Sequence, residues 1–304
     1  MTKMRIPVFF IGCVKSSEIA LRTLMDRPEI QITGVLSMRE NKFNSDFVDI
    51  CEIANQSSVS FHYAEDIDTI SLAKILRDSE AEIIFAIGWS RLIRAEIISI
   101  PRHGVIGFHP AALPKNRGRH PLIWALALGL EKTASTLFFI DEGADSGEII
   151  NQEEIYISSK DDARSLYDKV LAVLPRQINE VVDDLVAGDL CGVTQNHDLA
   201  NYWRKRGAPD GRIDWRMSAT SIYNLTRALT HPYTGAEFYH NNQVVKVWRC
   251  EIVTEDVPRN AEPGKVLNVD DRGLVIKTGL GAGGGAVRLL DTEYSPKFKK
   301  GDYL

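Results

Sequence analysis

The sequence has few cysteines and no excess of basic residues. Its four cysteines, Cys13, Cys51, Cys191 and Cys250, are widely separated and form no CxxC pair. This spacing disfavours a disulfide framework or a cysteine-rich metal site, and we expect reduced, mostly buried thiols. The formal net charge of -5 disfavours a protein whose whole surface follows a phosphate backbone, although it leaves room for a local basic patch.

Long apolar runs are also missing. The N-terminal run is short and has no cleavage-site pattern after it, and no segment approaches the ~20 residues that span a bilayer. We therefore expect a cytoplasmic protein with no membrane partner.

Several common site motifs are absent as well. No GxSxG elbow supports acyl-enzyme chemistry, and the first turn after a strand, GCVKSSE, lacks the GxGxxG pattern of dinucleotide sites. His103, His109 and His120 have neither companion cysteines nor the spacing of a zinc helix, so we expect no metal.

In the first half of the chain, apolar runs of strand length alternate with helical patterns. The predicted strands are at 6–12, 31–37, 81–88, 104–109, 135–141 and 148–157, and the predicted helices are at 17–26, 46–55 and 120–130. A long amphipathic pattern over 161–187 contains Pro175, which indicates one kinked helix or two. Apolar strands without alternation, separated by helices, predict an α/β fold with a doubly wound, mostly parallel sheet and ligands at the C-terminal strand ends.

The amino-acid composition changes near residues 192–210, which are polar and rich in turn formers. We predict a catalytic domain over 1–197, a linker over 198–209 and a smaller C-terminal domain over 210–304. That domain contains a helix at 218–229, capped by Ser218 or Thr220, and short strands typical of an OB-like β-barrel. The glycine-rich stretch 279–286 lies between two strands with no helix after it, so it is interpreted as a hairpin tip, not a phosphate loop.

Two loops carry the residues that indicate chemistry. His109 ends a strand, and the segment 139–149 ends another strand with Asp141, Glu142 and Asp145 among glycines. A histidine and a carboxylate at the C-terminal ends of two strands of one sheet form the pair used in general acid–base catalysis.

The motifs HPAALPKNRGRHPLIWAL and, later, DEGADSGEII resemble the signature of the 10-formyltetrahydrofolate-dependent formyltransferases. The stretch 210–239 is similar to the entry to the C-terminal barrel of the methionyl-tRNA and sugar enzymes of that family. The resemblance covers essentially the whole chain. It implies a Rossmann-like catalytic domain, an enzyme, and 10-formyltetrahydrofolate as formyl donor.

The resemblance also implies roles for individual residues. His109 would handle protons and stabilise the oxyanion, and Asp145 would orient and tune it. Folate would lie along the segment after the fourth strand and along the second loop, held largely by backbone groups. The implied folate-binding residues are Ala86, Ile87, Gly88, Trp89, Ser90, Ile140, Asp141, Glu142, Gly143 and Ala144.

The sequence departs from the family at Gly107, where the family has an asparagine that donates to the oxyanion. Loss of one such donor costs on the order of 10²–10³ in rate. Three interpretations stay open. A water, a backbone N–H or protonated His109 replaces the donor; a side chain from another loop reaches in; or the protein is a non-catalytic folate- or sugar-binding homologue.

The acceptor must present a primary amine. The stretch 37–47 is not the basic run that follows the second strand in tRNA enzymes, and the net charge also disfavours tRNA. The stretch 201–215 is more similar to sugar-nucleotide formyltransferases of surface-polysaccharide or nonulosonic acid pathways. We therefore predict transfer to a nucleotide-linked amino sugar, with methionyl-tRNA as the alternative acceptor.

Four further residues are candidates for substrate binding: Arg117 and Arg119 for a diphosphate, Tyr233 for stacking, and Ser16. The basic clusters Arg204–Arg206 and Lys297–Lys300 are interpreted as solvated surface. A homodimer through the C-terminal domain is also expected.

Overall fold

The computed structural model describes residues 5–40, 45–254, 257–279, 285–293 and 298–304. Its α-helices are α1 Lys15–Met25, α2 Cys51–Gln56, α3 Thr69–Asp78, α4 Ala95–Ile98, α5 Pro121–Ala127, α6 Ala163–Ala187 and α7 Ala219–Leu229. Its strands are β1 Ile6–Ile11, β2 Ile30–Ser37, β3 Phe61–Tyr63, β4 Ile83–Ala86, β5 Val105–His109, β6 Arg117–Gly118, β7 Lys132–Phe139, β8 Ile149–Tyr156, β9 Tyr202–Trp203, β10 Ala236–His240, β11 Gln243–Val253, β12 Val266–Asp270, β13 Gly273–Lys277 and β14 Ala286–Thr292. Helix α6 is one helix with Pro175 inside it.

The main sheet has seven strands in the order β3-β2-β1-β4-β5-β7-β8. The first five strands of that order are parallel, and β7 is antiparallel to β5. The predicted doubly wound, mostly parallel sheet is therefore confirmed. The antiparallel direction of β7 was not predicted, because the apolar pattern of a strand does not indicate which way it runs.

Alternate residues of β1 point into two separate cores, as the two-residue period of a strand requires. Val8 and Phe10 join a core with α1 and α6, whereas Phe9 and Ile11 join a second core with α3 and α4. Burial on both faces explains why this strand is continuously apolar rather than alternating.

The C-terminal part contains α7 and a five-stranded antiparallel sheet in the order β10-β11-β14-β13-β12. Ser218 is the N-cap of α7, and its hydroxyl accepts a hydrogen bond from the backbone N–H of Ser221. A smaller β domain is thus confirmed, while its closure into an OB-like barrel stays a prediction. Most of the predicted glycine-rich hairpin tip, residues 280–284, lies outside the described residues.

Contacts divide the chain into two units. The first comprises Met1–Gly118, Ala134–Ile155 and Asp168–Trp203, and the second comprises Arg119–Thr133, Tyr156–Tyr167 and Arg204–Leu304. The predicted boundaries at 197 and 210 stay a prediction. Residues 198–209, the predicted linker, contain strand β9 and so are not wholly irregular.

None of the four cysteines, all of which lie in the described residues, forms a disulfide, and three of them are buried. Burial raises the pKa of the Cys51 thiol to about 12 and that of Cys250 to about 11, which leaves both thiols protonated at neutral pH. In the part of the chain that the structure describes, no helix has the length and apolar character needed to cross a bilayer.

Candidate active site

His109 is the last residue of β5 and is 5% exposed. Its Nε2 lies 2.9 Å from the backbone carbonyl oxygen of Asn116. A carbonyl oxygen only accepts hydrogen bonds, so Nε2 carries a proton in this arrangement. Asn116 has a left-handed backbone, φ +64°, which belongs to the sharp turn that aims its carbonyl at the ring.

Asp145 approaches the other nitrogen of the same ring. Its Oδ2 is 3.7 Å from His109 Nδ1 and accepts a 2.8 Å hydrogen bond from the backbone N–H of Gly118. The 3.7 Å separation is longer than a hydrogen bond but within the range of an ion pair with a protonated ring. The structure therefore brings together the histidine and the aspartate that the sequence predicts as a pair.

Asp145 approaches His109 from a strand that runs antiparallel to β5. We expected both residues at the C-terminal ends of two strands of one sheet, and each does lie at or after such an end, but the last residue of β7, Phe139, is in register with Ile106 near the start of β5. The segment 140–147 therefore has to fold back along β5 to reach His109. Asp145 has a left-handed backbone, φ +53°, at this reversal.

The consecutive residues 116–118 contact both members of the pair, since the carbonyl of Asn116 faces His109 and the N–H of Gly118 binds Asp145. This segment is itself held by Asn201. The Asn201 side-chain oxygen accepts from the N–H of Asn116, and its backbone oxygen accepts from the N–H of Arg117. Gly118, at φ +102°, lies so close to the carbonyl of Trp203 that a side chain would collide with it.

Arg117 lies in a place different from the one we predicted for a diphosphate ligand. It is 1% exposed, and its guanidinium donates to Gln195 Oε1, Tyr202 OH and His197 Nδ1. These contacts occupy most of its donors inside the protein. The structure thus corrects the prediction: Arg117 is a buried structural cation, because the β6–β9 pairing turns it inward.

At Gly107 the space that a side chain would need is already filled. A Cβ there would lie 2.8 Å from Ile140 Cγ1 and 3.0 Å from Phe138 Cζ, closer than real Cβ contacts. Phe138 is the register partner of Gly107 on β7. The loop that follows β7 does reach Gly107 through Ile140. However, the nearest side chains, Ile140 and Phe138, are apolar and cannot donate a hydrogen bond.

The first predicted folate segment, 86–90, follows β4. Ala86 and Ile87 are buried, Gly88 has φ +68°, Trp89 is half-buried and Ser90 is exposed. Ser17 fixes this segment to the β1–α1 turn, since its hydroxyl donates to the Ile87 carbonyl at 2.6 Å. Beside the segment is a cavity of about 140 Å³, with Ile11, Leu36, Trp89 and Ile93 in its largely apolar lining and Arg91, Arg94 and Asp68 among its polar residues.

The second predicted folate segment is the loop 140–144. The Asp141 carboxylate accepts from the Gly143 N–H and the Ser146 hydroxyl, which folds the loop into a tight turn. Glu142, Gly143 and Ala144 are exposed. Ile140 instead packs against Gly107.

The remaining candidates for substrate binding, Ser16, Arg119 and Tyr233, differ in exposure and in the unit to which they belong. Ser16 is 3% exposed and lies beside Gly88, so it offers little surface. Arg119 is exposed and belongs to the second unit, as does the half-buried Tyr233. The roles of these three residues in substrate binding stay predictions.

The Arg204–Arg206 cluster is built around an aromatic ring. The guanidinium groups of Arg204 and Arg206 lie 5.4 and 4.5 Å from the centroid of Trp124, and Arg204 forms an ion pair with Asp210. We call Trp124, Arg204, Arg206 and Asp210 the Trp124 cluster. Of the other predicted basic cluster, Lys299 and Lys300 are exposed, and Lys297 lies outside the described residues, as do residues 41–44 of the stretch 37–47.

Sequence reasoning missed three residues that support the site: Gln195, Asn201 and Tyr202. They lie in the polar stretch that we assigned to a linker or its approach. Its density of side-chain amides and aromatics was the available signal, but such composition is also typical of solvated loops. Among the described residues, no group of three or more histidine, cysteine or acidic side chains could hold a metal.

Comparison with known proteins extends this picture. A formyl transferase family model matches residues 45–182, and the model of the formyl transferase C-terminal domain matches residues 207–295. A methionyl-tRNA formyltransferase from Pelotomaculum thermopropionicum is 31% identical over 230 residues, which are 76% of this chain and 72% of that protein.

Two solved structures share the fold. WlaRD, a sugar 3N-formyl transferase solved in the presence of dTDP and 5-N-formyl-THF, has a TM-score of 0.70 and 16% identity over 96% of this chain and 99% of that one. An N-formyltransferase from Helicobacter canadensis, solved with folinic acid and dTDP-3-aminofucose, has a TM-score of 0.70 and 16% identity over 94% and 99% of the two chains. At these identities the likeness shows the fold alone.

Proposed function

Because this chain belongs to the formyltransferase family, whose members are enzymes, we propose that it transfers the formyl group of 10-formyltetrahydrofolate to the primary amine of a nucleotide-linked amino sugar. The observation that carries the proposal is the His109–Asp145 pair, with a separation of 3.7 Å between Nδ1 and Oδ2 and residues 116–118 bridging both side chains. The family resemblance in the sequence is confirmed; the roles of these residues are our proposal.

The proposed reaction moves one proton and exchanges one bond. The acceptor amine attacks the formyl carbon, a new C–N bond forms, and the bond from that carbon to N10 of the folate breaks. The amine proton is taken up by Nδ1 of His109, because Nε2 already carries a proton, and is then delivered to N10, which gives a formamide and tetrahydrofolate. The Asp145 carboxylate stabilises the imidazolium form of His109 during this transfer.

The oxyanion of the tetrahedral intermediate needs a donor where the family has asparagine. Since Ile140 and Phe138 surround Gly107, we propose that the Nε2–H of His109, which here donates to the Asn116 carbonyl, takes over that role. Substrate binding would exchange the carbonyl of Asn116 for the oxyanion as the acceptor of this proton.

The proposed donor site combines the cavity beside Trp89 with the exposed residues 142–144. An apolar slot suits a flat heteroaromatic ring, and backbone N–H and C=O groups can satisfy the edges of that ring. The two structural relatives solved with 5-N-formyl-THF or folinic acid support a folate donor for this fold.

Two acceptors remain in competition. The net charge of -5 and the structural relatives solved with dTDP or dTDP-3-aminofucose favour a nucleotide-linked sugar. The 31% identity to a methionyl-tRNA formyltransferase favours methionyl-tRNA as the alternative.

The experiment that separates them gives the enzyme 10-formyltetrahydrofolate with either a panel of nucleotide-linked amino sugars or charged initiator tRNA. We expect a sugar product heavier by one CO unit and no formylmethionyl-tRNA. Formylation of tRNA alone, with a rate that falls steeply as salt rises, would contradict the sugar proposal. Tight folate binding without turnover on any amine would support the non-catalytic alternative that Gly107 raises.

We also propose a cytoplasmic homodimer that associates through the C-terminal sheet. Tyr239 and Val244 pair across β10 and β11 and are 46% and 42% exposed, which places an apolar patch on that sheet. Light scattering should give twice the mass of the chain, and Tyr239→Glu should reduce it to the monomer value. A monomeric wild type would contradict this part of the proposal.

A further inference from the structure

We propose that Gln195 and Arg117 are positioning residues that hold Asp145 in place against His109. The inference rests on the proposed function, since it concerns the same histidine–aspartate pair. It starts from a closed ring of hydrogen bonds that connects Asp145 back to itself through two buried side chains.

Gln195 makes the central contacts of this ring. It is 4% exposed, and its Nε2 donates to the backbone oxygens of Asp145 at 3.0 Å and of Gly147 at 2.6 Å. Its Oε1 accepts from Nε and Nη2 of Arg117 at 3.2 and 2.6 Å. A flipped amide would place oxygen against two carbonyls and NH₂ against a guanidinium, so only this orientation satisfies every partner.

Arg117 closes the ring through the chain itself. The residue that follows it, Gly118, donates its N–H to the Asp145 carboxylate at 2.8 Å. Asp145 is therefore held at both ends, by Gln195 at its backbone carbonyl and by Gly118 at its side chain. Arg117 is in turn anchored by the Tyr202 hydroxyl at 2.8 Å and by His197 Nδ1 at 3.2 Å.

Asp145 needs this support because of its backbone. A residue other than glycine at φ +53° is strained, and the loop must also fold back along β5 to reach His109. Without the Gln195 amide, two carbonyl oxygens of the reversal lose a donor, and the turn is free to relax. A shift of about 1 Å in a catalytic group can lower a rate by about 10²-fold.

The decisive variant is Gln195→Glu. It preserves the size of the side chain and its acceptor atoms for Arg117, but it replaces the donor to Asp145 and Gly147 with a second oxygen. We expect kcat to fall by about 10–100-fold, with both KM values within about twofold of wild type. Tm should fall only slightly, because the new ion pair with Arg117 offsets much of the repulsion between the carboxylate and the two carbonyl oxygens.

Thr194→Val is the matched control on the adjacent residue. It removes an exposed hydrogen bond to Glu148 and leaves the ring intact, so kcat should stay at the wild-type value. Gln195→Met, which removes donor and acceptor together, is the second variant if Gln195→Glu does not fold, and we expect the same loss of kcat from it.

A purely structural role would act independently of Asp145, so the double variant with Asp145→Asn provides the test. If Gln195 acts through Asp145, adding Gln195→Glu to Asp145→Asn should lower the residual kcat by less than twofold. Additive losses, or a wild-type kcat for Gln195→Glu beside an impaired Asp145→Asn, would overturn the positioning role and leave the proposed function intact. Wild-type activity of both Asp145→Asn and His109→Ala would instead overturn the proposed function itself.

Discussion

Two arginines of this protein make similar numbers of polar contacts in opposite environments. Arg117, next to the His109–Asp145 pair, is 1% exposed and donates to an amide, a phenol and an imidazole. Arg204, in the Trp124 cluster, has a side chain that is 64% exposed and pairs with Asp210. Burial determines how much the contacts of each arginine contribute to stability. Water can replace a hydrogen bond that is lost at the surface, but not one that is lost in the interior.

The comparison extends to the regions around them. Near His109, the side chains of His109, Arg117 and Gln195 are buried, and their contacts surround the His109–Asp145 pair. In the Trp124 cluster, the Arg204 side chain is open to solvent whereas that of Asp210 is 16% exposed, so salt screens the Arg204–Asp210 ion pair in part. Substitutions should therefore have large effects in the first region and small ones in the second.

The largest effect is expected from His109→Ala. Removing the proposed acid–base group and oxyanion donor should lower kcat by about 10³–10⁴-fold, as losses of positioned acid–base catalysts do. Formamide formation measured by mass spectrometry checks this, with circular dichroism to show that the variant is folded. Turnover near the wild-type rate would mean that His109 is not the proton carrier.

Gly107→Asn, within the candidate site, tests whether Ile140 fills the space beside Gly107. Its side chain would collide with Ile140, so we expect a loss of about 1–3 kcal/mol of unfolding free energy and a lower kcat. The double variant with Ile140→Ala should recover stability, because the smaller side chain leaves room for the amide. Urea denaturation and kcat are the measurements, and a single variant with raised kcat and unchanged stability would contradict the steric argument.

The same change, arginine to glutamine, tests the comparison directly at the two positions: Arg117→Gln and Arg204→Gln. The first leaves the buried Oε1 of Gln195 without its charged donor, removes the contact to the exposed Tyr202 hydroxyl, and should cost about 2–4 kcal/mol of unfolding free energy. The second should lower the unfolding free energy by less than about 1 kcal/mol and leave kcat unchanged, because its side chain is 64% exposed and solvent replaces most of its contacts. Equal losses of stability in the two variants would break the distinction between the regions.

The smallest effect is expected from lowering the pH, which acts on Asp210 in the Trp124 cluster. The Arg204 side chain, followed by the Gly207 N–H, holds the pKa of Asp210 well below its usual range. A folded-state pKa that is lowered contributes stability above the unfolded value of about 3.9, and this contribution is lost as the pH falls through the folded value. Wild type should therefore be slightly more stable than Asp210→Asn above about pH 4, and the two should converge at lower pH in an acid titration of unfolding. A difference that grows as the pH falls would have the wrong sign.

Much of the fold could be predicted from the sequence. The continuously apolar run 6–12 predicts a strand buried on both faces, and the structure places such a strand at Ile6–Ile11 between two cores. For the polar stretch 192–210, the prediction from composition differs from the structure. Polar composition predicts solvent contact, yet Gln195 is buried because its partners, Arg117 and the 145–147 backbone, come from distant parts of the chain.

The sequence by itself determined the alternation of strands and helices, the candidate pair His109 and Asp145, and the family to which the chain belongs. These follow from local composition and from motifs, which are properties of short segments. Only the tertiary structure decided that β7 runs antiparallel, that Arg117 turns inward, and that Ile140 fills the space beside Gly107. Each of these depends on contacts between segments far apart in the chain, and neither spacing nor hydropathy carries that information.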